Sequence, residues 1–237
     1  MYSQTEKEIE RLKNGIVAAF ATPFVDDLED YVWEAIFSYM KDIPLIDTLT
    51  NTRRKLLFDV IDKENAIGWS AKALRTTVNP LSEFELVIQR ADIFKKAVAL
   101  GFDALNLASP TDQLGKALLK HWYEGKVYPD AKNQHVVDKR VCILLKSRNL
   151  KRFALYEDRL EEYKQDDLEW HWTDDSRTGL QGIRKEDGFC IFRWYPNQKQ
   201  LFERFTLPEN APIFDLNPRR LQLALSIDLL LEALNRL

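Results

Sequence analysis

The chain has 237 residues, 45% hydrophobic and 30% charged, with a net charge of −3. That is enough chain and apolar content to bury a sizeable core without disulfides or structural metals. The charge excludes a broad basic halo, so any nucleic-acid surface has to gather its Lys and Arg on one face.

Cys142 and Cys190 sit in apolar, strand-like runs and read as free thiols of a reducing compartment. There is no CxxC, and His121, His135 and His171 lack ligand spacing, which excludes a zinc site of the usual kind. The N-terminus carries no signal-peptide pattern, and the longest apolar stretch, near Gly15 to Val25, is too short to span a bilayer. The expectation is a soluble, cytoplasmic protein with no membrane partner.

In chain order, a first helix is predicted over residues 3–20, capped by Ser3 or Thr5, with Ile9, Leu12, Ile16 and Phe20 on one face. A second runs from about Leu28 to Met40. Residues 55–75 then switch period. Phe58 to Ile61 and Ala66 to Leu74 read as two strands around the turn-rich Asp62-Lys63-Glu64-Asn65. A helix is predicted over about 82–100, with Phe84, Val87, Ile88, Ala91, Phe94 and Val98 as its stripe and Gly101 as its stop. A shorter helix follows at about 111–124, stopped by Gly125, and then a loop over 126–137.

The second half reads as short strands: 141–146, 153–156, 168–172, 180–183, 189–194 and 201–207, with a hairpin at Asp187-Gly188. A last helix runs from about Pro218 to Leu234, where Leu223, Ile227, Leu230, Leu231 and Leu234 share a face. No linker or repeat interrupts the chain, so one domain over 1–237 of the α/β (α+β) class is the simplest expectation.

A two-residue turn at Lys63-Glu64 would pair Asp59 with Gly68. Asp59 would then share a face with Ser70 and Lys72, while Phe58, Val60, Ile67, Trp69 and Ala71 line the other. A carboxylate there can ligate Mg²⁺. A lysine beside it can orient a water or stabilise charge building on a phosphate. Glu85 or Glu83, at the start of the predicted 82–100 helix, would supply a second carboxylate, although Ser82 to Glu85 also fits a capping box. Arg53, Arg54, Lys55 and Arg75 flank the site and could steer a nucleic-acid backbone into it. Lys146, Arg148, Lys151 and Arg152 form a second basic cluster around a turn. Trp170, Trp172 and Trp194 read as packing residues rather than base-stacking ones.

The run Asp59, then Ser70-Ala71-Lys72, then Glu85 resembles the PD-(D/E)xK nuclease superfamily, and most of all type II restriction endonucleases with a permuted motif. The resemblance covers about residues 55–95. It implies a restriction-endonuclease-like core, with a mixed sheet flanked by helices and an antiparallel, strand-rich second half. It also implies Mg²⁺-dependent, sequence-specific cleavage of double-stranded DNA by a homodimer. Asp59 and Glu85 would be the metal ligands and Lys72 the catalytic lysine. The chain departs from the pattern in two ways: no Pro precedes Asp59, and the gap to Lys72 is short, so Asp47 or Asp62 is an alternative ligand. Two other readings stay open, a repair nuclease on the same core and a non-catalytic interaction protein.

Overall fold

A computed structural model describes residues 2–45 and 56–236. Its elements, in chain order, are α1 (Glu6–Ala21), α2 (Asp30–Lys41), β1 (Val60–Asp62), β2 (Ile67–Arg75), β3 (Glu83–Arg90), α3 (Ile93–Lys96), α4 (Thr111–Trp122), α5 (Tyr128–Asn133), β4 (Asp138–Lys146), β5 (Arg152–Arg159), β6 (Leu168–Trp172), β7 (Leu180–Arg184), β8 (Cys190–Tyr195), β9 (Gln200–Thr206), β10 (Ile213–Asp215) and α6 (Leu223–Leu234). The class is α+β. The chain divides into two compact units: Met1–Pro80, His135–Arg159 and Pro208–Leu237 form the first, and Leu81–Gln134 and Leu160–Leu207 the second.

The first unit is built on a mixed sheet of order β1-β2-β4-β5-β10. β1 and β2 form an antiparallel hairpin, and β2 runs parallel to β4. Parallel neighbours need a long crossover, and here the crossover is the whole stretch between β2 and β4, which carries β3 and α3 to α5. One face of the sheet is apolar. Val60, Trp69, Ala71, Cys142, Leu144, Phe153 and Leu155 pack there against Leu12, Ile16 and Phe20 of α1 and Trp33, Phe37 and Met40 of α2. α1 begins as its sequence indicates. Thr5 accepts from the Glu8 amide, and the Glu8 carboxylate accepts from the Thr5 amide at 2.7 Å, a complete capping box.

The second unit is an antiparallel sheet of order β3-β9-β8-β7-β6 with α4 packed on it. Trp170 and Trp194 are buried, in keeping with packing roles. At the Asp187-Gly188 hairpin, Gly188 takes φ +73°, the left-handed conformation that suits glycine. Gly115 lets α4 approach β6: a Cβ there would meet the Trp170 indole at 2.3 Å, and Trp170 is itself buried. Alanine would gain about 1 kcal/mol in helix propensity. Overpacking a fixed indole costs about 1–3 kcal/mol or more, and at 2.3 Å the clash dominates. Gly115→Ala is therefore expected to lower stability by roughly 2 kcal/mol. A urea melt showing a gain instead would refute this account of the α4–β6 approach.

Several sequence expectations change. Residues 82–100 are not one helix. Glu83–Arg90 is strand β3, paired with β9, and only the short α3 and a 3₁₀ turn at Val98–Leu100 follow. The Ser82–Glu85 capping box therefore does not form, and the Ser82 carbonyl accepts from the Leu207 amide instead. Gly125 does not stop the helix before it. The chain continues through a π-helical turn at Tyr123–Val127 into α5, over residues expected to be loop. α6 starts at Leu223 with Gln222 as its N-cap, so Pro218 does not open it. β10 had no sequence signal.

Candidate active site around Asp59 and Lys72

The β1–β2 hairpin positions Asp59 and Lys72. Its turn is four residues long, not two, and the pairs are Val60 with Trp69, Ile61 with Gly68 and Asp62 with Ile67. Lengthening the turn by two shifts the register by two. Side chains alternate with period two, so the faces are preserved. Val60, Trp69 and Ala71 go to the core, and Asp59 and Lys72 meet outside it.

The geometry is tight. The Asp59 amide donates to the Trp69 carbonyl at 2.8 Å, continuing the ladder beyond β1. Asp59 Oδ2 accepts the Ala71 amide at 2.9 Å and the Lys72 ammonium at 3.1 Å. Lys72 Nζ also donates to the Ala71 carbonyl at 3.1 Å. A backbone amide and a lysine thus orient one carboxylate from two sides. The lysine side chain stays 34% exposed and the carboxylate 14% exposed, so the pair borders solvent. Ser70, on the same strand face, is buried.

The other expected site residues have local settings of their own. Glu85 lies in the second unit, on β3. There Arg193 Nη1 reaches it at 3.4 Å and Arg204 Nε at 4.0 Å. Glu83 pairs with Arg204 at 2.6 Å. Neither stands at a helix N-terminus, because the helix expected there is a strand. Asp62 holds its own turn, with Oδ1 accepting the Glu64 and Asn65 amides and Oδ2 the Asn65 side chain. That Asn65 hydrogen bond, with the two amides, keeps its carboxyl below the usual range. Asp47, Arg53, Arg54 and Lys55 lie outside the described residues. Arg75 is paired with Asp27 at 2.9 Å. Lys146, grouped in sequence with exposed basic residues, is buried and donates to Asp27 and to the Leu28 carbonyl.

As a donor set for Mg²⁺, the Asp59 carboxylate has the right hard-oxygen chemistry. Among the described residues, no group of three or more His, Cys, Asp or Glu gathers as a metal centre. No helix among them is long and apolar enough to cross a membrane.

Three buried ionisable groups carried no sequence signal. Glu157 is wholly buried in the first unit. In the second, Glu203 is buried on β9, and His121 is buried on α4 with Lys96 Nζ 3.3 Å from its Nε2. Burial, and then the Lys96 charge, pushes the His121 imidazole below its ordinary pKa. Only the pairing of distant segments exposes these groups as buried.

Comparison with the profiles of known protein families, with characterised proteins and with solved structures finds no match.

Proposed function

We propose that the chain is a Mg²⁺-dependent endonuclease that hydrolyses phosphodiester bonds of double-stranded DNA, in the manner of the type II restriction enzymes its hairpin resembles. The observation that carries the reading is the single junction of Asp59 Oδ2 with Lys72 Nζ and the Ala71 amide. A part-buried Asp–Lys pair bordering solvent adds modestly to stability at most. A carboxylate pinned by a backbone amide beside a solvent-reachable ammonium is, in contrast, an arrangement suited to phosphate chemistry. In this reading Asp59 holds the cation, which when bound supplies Lewis-acid polarisation of the phosphate. Lys72 stabilises charge building on the phosphate oxygens, a contribution that depends on its being held in place beforehand. Two features support the topology of such a core: β2 lies between antiparallel β1 and parallel β4, and helices α1 and α2 cover the opposite face. Glu85 stands on strand β3 and not at a helix N-terminus, so the proposal rests on Asp59 and Lys72.

The test is incubation of a supercoiled plasmid with the full chain, with and without Mg²⁺. Discrete cleavage products that need the metal are expected. Lys72→Ala and Asp59→Asn should each lower the rate at least about a hundredfold, with thermal unfolding near that of the parent chain. Absence of both cleavage and DNA binding across Mg²⁺ and Mn²⁺ would favour a non-catalytic interaction protein.

A further inference from the structure

α6 departs from α1 and α4, whose apolar stripes are buried. Across Leu223–Leu234 its charged residues are Asp228 and Glu232 alone, and Ser226 is its one buried residue. Leu223, Ile227, Leu230, Leu231 and Leu234, which share a face, and Leu225 and Leu229 beside them are each between 41% and 63% exposed. A helix with such a face in water is unfinished, because soluble chains bury stripes of this kind. The base of the helix is fixed: the Leu221 amide donates to the Ala21 carbonyl, and Arg220 reaches the Val25 carbonyl and Asp26.

We propose that α6 is a self-association element, through which two copies of this chain pair side by side along the seam Leu223, Ile227, Leu230 and Leu234. The spacing of four, three and four is that of alternating d and a positions of a heptad, with Ile227 and Leu234 at a and Leu223 and Leu230 at d. Ile227 puts a β-branched residue at one of the two a positions with Leu at both d positions, a combination that favours a two-stranded, parallel pair. Asp228 and Glu232 fall at b and f, away from the seam, so no charge is buried on pairing. The area is sufficient. The seam and the adjoining Leu231 leave roughly 500 Å² of apolar surface per chain, so a pair buries up to about 1,000 Å², the size at which specific interfaces begin. A lipid surface is the poorer occupant, since helices that lie on membranes carry Lys and Arg on their polar face and this one carries carboxylates. The inference is independent of any phosphodiester chemistry.

Sedimentation equilibrium of the full chain over micromolar concentrations tests it. The expected species has twice the 27.8 kDa chain mass. Ile227→Asp and Leu230→Asp should each weaken the dimer at least about thirtyfold, while Leu225→Asp, at the outer f position, leaves it intact. All three should unfold like the parent chain, because α6 is exposed. Leu230→Cys should cross-link between chains on mild oxidation, with the parent chain as the blank. A monomer at every concentration would overturn the proposal. So would a dimer indifferent to Ile227→Asp and Leu230→Asp, or a monomer that instead co-sediments with phosphatidylcholine vesicles. Dimerisation without DNA cleavage would uphold this inference while removing the nuclease reading.

Discussion

Glu157→Ala is expected to destabilise the first unit by about 3–5 kcal/mol, the cost of stranding a buried charge partner. Glu157 has no exposed surface, yet four segments converge on it. Lys41 of α2 reaches Oε2 at 2.9 Å, and the Trp69 indole donates to Oε1 at 2.8 Å. Arg140 lies at 3.5 Å and the Gln4 amide at 3.2 Å. Lys41 also pairs with Glu8 of α1 at 2.8 Å, so the cluster ties both helices to β2, β4 and β5. Burial opposes the Lys41 charge, but Glu157 and Glu8 outweigh it and hold its pKa above the ordinary value. Removing only the carboxylate leaves the Trp69 N–H without its acceptor and the part-buried Lys41 with Glu8 as its remaining carboxylate. Glu157→Gln keeps an acceptor for Trp69 and should cost less. Replacing both partners, as Glu157→Met with Lys41→Met, should recover most of the loss, since apolar substitutes often match a buried ion pair. Urea denaturation of the three variants decides the matter. A loss below about 1 kcal/mol for Glu157→Ala would place the cluster among ion pairs that contribute little.

The same residue marks where the sequence stops being legible. A strand at 153–156 follows from Phe153 to Tyr156, but Glu157 is one position beyond, and its partners come from the N-terminus, α2, β2 and β4. Nothing local distinguishes it from the exposed acidic residues that follow. The hairpin behaved differently. Its faces survived a wrong turn length because a shift of two residues conserves strand parity. A three-residue turn would have sent Asp59 and Lys72 to opposite faces.

Residues 83–90 failed for the opposite reason. Phe84, Val87, Ile88 and Ala91 satisfy a helical stripe, while Phe84, Leu86 and Ile88 equally satisfy strand alternation. The deciding partner, β9, lies far along the chain and pairs Phe84 with Phe205, whose rings stack at 5.5 Å. With the helix goes the N-terminal setting expected for Glu85, which stands on a strand instead. α6 was misread only at its start. Its shared apolar face was visible in sequence, but a stripe reads the same whether it meets the chain's own core or another copy.

Glu203→Gln is expected to stabilise the second unit, and to do so more strongly as pH rises. Glu203 sits on β9 between Leu86 of β3 and Phe192 of β8, and the Tyr163 ring lies edge-on to Phe192 at 5.5 Å. Burial first, and then the Glu161 carboxylate, pushes its pKa up to about 8 from an ordinary 4.5. In the unfolded chain the group ionises near pH 4.5, while in the fold it keeps its proton until about pH 8. The stability tied to this proton is fully present below pH 4.5. It falls as pH rises through the interval and is lost once pH passes about 8. The limiting slope for one proton is about 1.4 kcal/mol per pH unit. Glutamine has nothing to ionise, so parent and variant should be alike near pH 4 and separate by a few kcal/mol near pH 8. Urea melts at pH 4, 6 and 8 measure the gap directly. Parallel curves would mean that Glu203 ionises in the fold as it does in the unfolded chain. A gap that narrows with rising pH would mean that a cation, not burial and Glu161, governs this carboxyl.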